Sequence, residues 1–505
     1  MADQALRWPG GAAFVTSAAE GVRRSGAGNG SASRAANGGR GDSPAAAGGS
    51  AKGGDRRSVD LVIHAPRAII DGDEQSASLL VRMGRIVGIE PLGTAPPSRF
   101  VARLAEDEVL IPGLVDTHVH INEPGRTEWE GFDSATAAAA AAGVTTLIDM
   151  PLNSLPPTLT AKALAAKRVA ARGRCRVDVG FWGGSVPTNL DDLPELFAAG
   201  VFGVKCFLQD SGVPEFPPLT VGEMRSAMRV VAGVGGLMLV HAEDPAVLHT
   251  APVPRGRSYL AFMESRPTRA ETSAIAACIE AAAITRCRVH IVHLSSADGV
   301  RQIRRAKADG VPITAETCPH YLTLAAESIP DGAPQYKCCP PIREQADQDA
   351  LWEGLLDGTI DIVVSDHSPS TPELKLLEVG DLGMAWGGVA GLQFGFAAVL
   401  TAARSRRIDL AEVVQWMSRG PADLAGLEHK GRIEIGVDAD LVALAVDDTF
   451  TVTADLIRHR HPVTPYLGKE LRGVVRARWL RGTELTDQMV AGRLLTRDVF
   501  GGVDR

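Results

Sequence analysis

Residues 113–120 read Gly-Leu-Val-Asp-Thr-His-Val-His and end in two histidines, His118 and His120, separated by a single residue. The apolar run from Val109 to Val115 leads into them. On a β-strand this spacing places both imidazoles on one face, because side chains alternate with period two. Two imidazoles directed at one point form half of a metal site. Taken alone, the pair fits incidental core or surface histidines at least as well, so the remaining ligands must come from elsewhere in the chain.

The composition sets the broad class of the protein. The chain has 505 residues, is 45% hydrophobic and can bury a large core, with room for more than one structural unit. A net charge of −8 without a strongly basic segment argues against nucleic acid as a partner. No apolar run reaches the roughly 18 residues that span a bilayer, so we expect no membrane partner. Seven cysteines without CxxC spacing, and no secretion signal, predict reduced thiols in a cytoplasmic protein.

The two ends of the chain differ from its middle. Residues 1–57 are dominated by Gly, Ala, Ser and Arg and are predicted to be disordered, because they cannot bury enough apolar surface. The Arg-Gly-Asp at 40–42 lies in this tail and is interpreted as a chance match. Residues 58–108 and 430–505 alternate short β-type runs with turns, as a small antiparallel sheet would. We predict that both flanks together form one small β-sandwich domain.

Between the flanks, residues 109–429 alternate β-rich and helix-forming segments, which predicts a (β/α)8 TIM-type barrel. The eight β-rich segments are 110–120, 145–151, 176–184, 201–208, 237–244, 288–296, 312–322 and 360–369. The helix-forming segments are 133–142, 159–172, 220–232, 270–286, 298–309 and 344–357. Thr220 followed by Glu223 also supplies a capping-box signal for the start of a helix.

Ionisable residues recur where the predicted strands end. They are His118, His120, Lys205, His241, His293 and Asp366. Each one alone fits a structural role, but in a (β/α)8 barrel the carboxyl ends of the strands converge on one site. Six such residues meeting by chance would be improbable. On strand six His293 is favoured over His290, because the two point to opposite faces and His293 lies nearer the strand end.

The order HxH, Lys, His, His, Asp resembles the amidohydrolase superfamily, in its cyclic-amide branch of dihydroorotases, hydantoinases and allantoinases. The similarity runs from about Val59 to the C-terminus and includes GRIEIGVDADLV at 431–442. It implies that CO2 carboxylates Lys205 to N6-carboxylysine, whose carbamate bridges two divalent metal ions. It also implies the other ligands: His118, His120 and Asp366 on one ion, His241 and His293 on the other. Imidazole favours Zn²⁺, with cobalt, manganese, nickel and iron left open.

The second residue after HxH bears on the substrate. Dihydroorotases of this branch carry an arginine there, whereas this chain has Asn122, which cannot pair with a substrate carboxylate, although Arg126 could compensate. Four segments are most similar to allantoinases: 120–132, 205–219, 337–344 and 365–375. Cys339 and Ser370 depart from that pattern but are not ligand positions. The resemblance implies hydrolysis of allantoin to allantoate by a metal-bridging hydroxide, with Asp366 transferring the proton to the ring nitrogen, in a homotetramer.

Candidate substrate contacts follow from the same resemblance, and ordinary turn formation is the alternative for each. They are Asn122, Asn153, the backbone of Cys339, Gly387 and Gly388. Trp386 and Phe216 either close over the substrate or belong to the core. Two rival functions remain open. One is a hydantoinase or dihydropyrimidinase with a looser pocket, and the other is a non-catalytic scaffold relative; a dihydroorotase is less favoured.

Overall fold

The computed structural model describes residues 58–497, so the predicted disordered segment 1–57, with its Arg-Gly-Asp, and residues 498–505 lie outside the described residues. The described part contains the following strands: β1 (Val59–Ile70), β2 (Asp73–Arg82), β3 (Arg85–Glu90), β4 (Ser98–Arg103), β5 (Glu108–Pro112), β6 (Leu114–Val119), β7 (Val144–Asp149), β8 (Asp178–Phe181), β9 (Gly183–Gly184), β10 (Val204–Phe207), β11 (Leu237–His241), β12 (Arg288–Ile291), β13 (Ile313–Thr317), β14 (Ile362–Val363), β15 (Leu441–Thr451), β16 (Glu470–Leu480) and β17 (Thr483–Glu484).

The α-helices are α1 (Phe132–Ala141), α2 (Ala161–Ala171), α3 (Leu193–Ala198), α4 (Val221–Gly233), α5 (Pro245–Thr250), α6 (Tyr259–Glu264), α7 (Thr268–Thr285), α8 (Ala297–Ala308), α9 (Pro319–Thr323), α10 (Gln345–Leu356), α11 (Pro372–Lys375), α12 (Gly395–Ser405), α13 (Leu410–Val414) and α14 (Gly420–Ala425). The predicted capping box starts α4, where Thr220 and Glu223 bond each other's backbone N–H groups. Over residues 58–497, none of the helices combines the length and apolar character needed to cross a membrane.

The two flanks of the chain build one eight-stranded sheet. Its order is β17-β16-β15-β5-β1-β2-β3, with β4 also paired to β1. The sheet is mixed rather than purely antiparallel as the turn pattern suggested, because β1 runs parallel to both β4 and β5. A register irregularity in β1 between Ala65 and Ala68 bends the strand. The same edge of β1 therefore pairs first with β4 and then with β5. Strands from both flanks of the chain contribute side chains to one apolar core.

The middle of the chain confirms the (β/α)8 prediction, since all eight predicted β-rich segments contain a strand. The barrel strands are all parallel and lie in the orders β6-β7-β8 and β14-β13-β12-β11-β10-β9. Only Trp182 separates β8 from β9. Beyond the ends of β6 and β14, the backbone N–H of His120 donates a hydrogen bond to His367 O at 2.7 Å. The first predicted segment divides at Gly113, where β5 of the flank sheet passes into β6. A Cβ there would lie 2.2 Å from Thr145 Oγ1, so the close approach requires glycine.

A buried ion cluster joins the flank sheet to the barrel. Lys430 is 5% exposed, and its Nζ lies 2.6 Å from Asp178 Oδ2, 2.7 Å from Asp440 Oδ2 and 2.9 Å from Asp438 Oδ2. Asp178 belongs to the barrel strand β8, whereas Asp438 and Asp440 precede β15. The three carboxylates could resemble a cation site, but the lysine ammonium already occupies their centre. The cluster is therefore a structural contact between the two parts of the chain.

Replacing Lys430 by methionine should reduce the free energy of unfolding by about 3–5 kcal/mol, because buried Asp440 loses its ion pair and Asp178 keeps only Arg481. Urea denaturation followed by circular dichroism measures the loss. As a control, Arg404→Met removes an exposed ion pair with Asp447 and should change stability by less than about 1 kcal/mol. Equal effects of the two substitutions would contradict the structural role of Lys430.

Candidate metal centre

A cavity of about 600 Å³ opens at the carboxyl ends of the barrel strands. Five of the six predicted ligands line it, namely His120, Lys205, His241, His293 and Asp366. The sixth, His118 in β6, is fully buried behind them. The strand ends therefore bring together the side chains that the sequence singled out, and they do so on one wall of one cavity.

The first group of donors surrounds Asp366, which follows β14. His118 Nε2 lies 3.1 Å from Asp366 Oδ1, and His120 Nε2 lies 3.7 Å from the same oxygen. His118 Nε2 is also 3.1 Å from Lys205 Nζ in β10. Two imidazole nitrogens and one carboxylate oxygen thus lie within reach of a single ion beside the lysine amine.

The second group consists of His241, at the end of β11, and His293, just beyond β12. His241 Nδ1 lies 2.9 Å from His293 Nε2, and the ring centroids are 4.6 Å apart at 73°. Phe207 stacks on His241 with a centroid distance of 4.7 Å, and Lys205 Nζ lies 5.1 Å from the centre of the Phe207 ring. Lys205 consequently adjoins both groups of donors.

Burial controls the protonation of the site. It lowers the pKa of Lys205, although Asp366 and Glu316 oppose the shift, so the neutral amine is favoured relative to an exposed lysine. Burial also lowers the pKa of His120 and of His293 well below the usual value, which keeps both rings neutral. Neutral imidazoles offer lone pairs, and in the second group His241 Nδ1 and His293 Nε2 face each other directly. This donor chemistry fits divalent metal ions.

A carboxylate that the sequence analysis missed orients the first group. Glu316, in β13, bonds Nδ1 of His118 through one oxygen and lies 2.9 Å from Nε2 of His290 through the other. Burial would raise the pKa of Glu316, but the two imidazoles outweigh it and lower the pKa. Glu316 therefore remains an acceptor, and His118 keeps its proton on Nδ1 and its lone pair on Nε2. An acid inside the apolar segment 312–322 was the available signal.

A second carboxylate orients His241. Its Nε2 lies 2.7 Å from Glu243 Oε2, and Arg266 Nε donates to Glu243 Oε1 at 2.9 Å. Nδ1 of His241 is thus the nitrogen that faces the site. His290 points to Glu316 rather than into the cavity, in keeping with the choice of His293 on strand six. That strand ends at Ile291, and His293 has a φ of 43°.

The predicted substrate contacts separate into two sets. Asn153, Cys339, Gly387 and Gly388 line the cavity. Asn122 does not line it, and its Oδ1 instead accepts a hydrogen bond from Asn153 Nδ2 at 3.1 Å. Asn122 is therefore placed to orient Asn153, and a direct contact with substrate stays a prediction.

Two further sequence alternatives can be compared with the structure. Trp386 lines the cavity, whereas Phe216 is buried and packs edge-on against Phe207 at 5.8 Å. Arg126 lies outside the cavity lining; its Nη1 is 2.6 Å from Asn153 O and 2.5 Å from Glu215 Oε1. Its charge is already matched by Glu215, which argues against a role in pairing with an anionic substrate.

The chain is similar to known proteins in both sequence and structure. The sequence profile of the amidohydrolase family matches residues 109–472. The allantoinase of Streptomyces avermitilis is 52% identical over 87% of this chain and 99% of that relative, and the allantoinase of Saccharomyces cerevisiae is 45% identical over 74% and 82%. Among solved structures, an L-hydantoinase (dihydropyrimidinase) from Arthrobacter aurescens has a TM-score of 0.81 at 29% identity, covering 87% of this chain and 100% of its own.

Substituting Glu316 by glutamine should weaken metal binding by about 10–100-fold, because His118 loses the carboxylate that fixes its tautomer. Titration of the metal-depleted protein against a chromophoric chelator measures the dissociation constant directly. Glu280→Gln, an exposed site on α7, is the matched control and should bind metal like the wild type. An unchanged affinity in Glu316→Gln would show that this carboxylate does not orient a ligand.

Proposed function

The chain belongs to the amidohydrolase family, and from that premise we propose that it is an allantoinase, which hydrolyses the cyclic amide of allantoin to allantoate. The observation that carries the proposal is the convergence of imidazoles, one buried lysine and one carboxylate at the strand ends of the barrel. The curated relatives that share most of the chain are allantoinases, whereas the hydantoinases resemble it more distantly in sequence.

We propose a two-ion arrangement for the site, with Zn²⁺ as the favoured metal. His118, His120 and Asp366 would hold one ion, and His241 and His293 the other. The neutral amine of Lys205 would attack CO2, forming an N–C bond and releasing one amine proton to solvent, and the resulting carbamate would help to hold both ions. Bound ions provide Lewis acidity for the amide carbonyl and lower the pKa of water.

The protein's own groups would perform the remaining steps. Burial raises the pKa of the Asp366 carboxyl, which favours its uptake of the proton released by the attacking water. The same carboxyl would return this proton to the departing ring nitrogen. Asn153, held by Asn122, would bond the ureide, together with backbone groups of Cys339 and of Gly387.

The arginines at and near the cavity give no support to an anionic substrate, although Lys337, whose Nζ bonds the carbonyls of Gly383 and Ala385, also lines the cavity. Arg266 lines the cavity but is paired through two nitrogens with Glu243. Asn122 occupies the second position after HxH, and Arg126 is paired with Glu215. Within the described cavity lining, every arginine already has a carboxylate partner. A substrate carboxylate would therefore have to compete with that partner.

Other expectations continue as predictions. They are a homotetrameric assembly, a cytoplasmic location, and the division into a β-domain (58–108 with 430–505) and a barrel domain (109–429). The sequence resemblance and composition support them, and sedimentation velocity of the purified protein would measure the assembly.

Turnover of allantoin, hydantoin, dihydrouracil and dihydroorotate tests the function. The protein is to be reconstituted with Zn²⁺ in the presence of bicarbonate, and the value of kcat/KM compared between the four substrates. We expect the highest kcat/KM for allantoin, because its ureide can use Asn153 and the glycine backbone. A higher value for hydantoin would instead identify a hydantoinase.

Lys205→Ala should lower allantoin turnover by about a thousandfold, since several kcal/mol of charge stabilisation would be lost with the metal bridge. Metal content should fall in parallel, and added acetate or propionate should restore part of both, because a short carboxylate can take the place of the carbamate. Lys162→Ala, an exposed lysine on α2, is the control. Full activity of Lys205→Ala without an added acid would eliminate the carbamate.

A further inference from the structure

One wall of the cavity is formed by residues 383–388, Gly-Met-Ala-Trp-Gly-Gly, which we call the wall segment. All six residues line the cavity, and the segment has neither helical nor strand structure. Gly388 has a φ of 114°, and a Cβ at this position would lie 2.1 Å from Ser368 O. A glycine pair in an irregular segment has little intrinsic stiffness, so its position must be fixed from outside.

Two lysines supply part of that restraint, beside backbone bonds from Trp386 N–H to Leu374 O and from Gly388 N–H to Lys337 O, each 2.8 Å long. Lys337 Nζ donates to Ala385 O at 2.6 Å and to Gly383 O at 3.2 Å. Lys375 Nζ donates to Trp386 O at 3.0 Å and to Gly388 O. The two side chains therefore bind four of the six carbonyl groups of the wall segment; Lys337 itself lines the cavity, whereas Lys375 is not among its lining residues.

The energetic setting of these lysines is unusual. Lys337 is 8% exposed and Lys375 is 3% exposed, and within residues 58–497 neither forms a salt bridge. Two other buried lysines are different, since Lys167 pairs with Asp149 at 2.6 Å and Lys430 pairs with aspartates. Burying a lysine without a carboxylate partner costs free energy. The burial of Lys337 and Lys375 is therefore explained by their bonds to the carbonyl groups of the wall segment rather than by a gain in stability.

We propose that Lys337 and Lys375 are positioning residues that hold the wall segment so that the backbone of Gly387 and Gly388 meets the substrate. This inference rests on the proposed function, which supplies the ureide as the group to be met. Gly387 also has room at the cavity surface, since a Cβ there would find only Cys339 Sγ, at 3.9 Å.

The restraint depends on pH. Burial lowers the pKa of Lys375 to about 7, and Lys337 lowers it further, whereas the thiols of Cys338 and Cys339 oppose the shift. Above that pH the amine is neutral, and its bonds to the carbonyls lose their charge assistance. The wall segment should then loosen, and the KM for allantoin should rise as the pH increases through neutrality.

The test compares Lys375→Met with Lys162→Met, an exposed lysine as the control. Three quantities are measured on the full chain: hydrogen exchange of the wall segment by mass spectrometry, KM and kcat for allantoin, and metal content. We expect faster exchange and a KM raised about tenfold, with kcat changed by less than about threefold, because binding common to the ground and transition states is lost. Metal content should equal that of the wild type.

Unchanged exchange of the wall segment, or an unchanged KM, in soluble Lys375→Met would overturn the proposal. If this variant does not fold, Lys337→Met is measured in the same way, and unchanged exchange of the wall segment together with an unchanged KM is the contrary result. Failure of the proposed function is distinguishable. It would appear as absent allantoin turnover in the wild type, while hydrogen exchange would still report whether Lys375 restrains the segment.

Discussion

The buried side chain of Lys205 is the constraint on which the rest of the site depends. It is 1% exposed, and the closest group bonded to its Nζ is an imidazole nitrogen of His118, at 3.1 Å. Asp366 is the one carboxylate among the donors, whereas Glu316 bonds His118 and Glu243 bonds His241 from outside the site. Most of the negative charge is thus placed one layer outside the donors. It orders the imidazoles while leaving the amine free to carry chemistry of its own.

The parallel strands give this arrangement its precision. In the pairing of β10 with β11, Phe207 lies opposite His241, which accounts for the stacking of the two rings beside Lys205. Backbone register therefore fixes the positions of Lys205 and His241. The donors His120, His293 and Asp366 lie one to three residues beyond the ends of their strands. The irregular parts of the site contribute differently. They include Asn153 and the wall segment, and they form the part of the cavity where a small ligand would be bound.

Much of this could be predicted from sequence, because ionisable residues at the ends of apolar strands are conspicuous and the barrel topology brings those ends together. The hydrogen-bond partners of individual nitrogen and oxygen atoms could not be predicted. Glu316 and Glu243 acquire a role only through contacts across strands, and Asn122 lies behind Asn153 for the same reason. The parallel pairing of β1 was also missed, because a local bend in a strand has no turn signal.

The flank sheet has a consequence for the biosynthesis of the protein. Ile111 of β5 pairs with Val442 of β15, so the edge of β5 meets its partner only after the ribosome has translated the entire barrel. Until then a nascent strand rich in Val, Leu and Ile presents unpaired backbone groups, the kind of edge that recruits foreign strands. Productive folding therefore depends on keeping the edge of β5 away from other strands during the roughly two thirds of translation that separate β5 from β15.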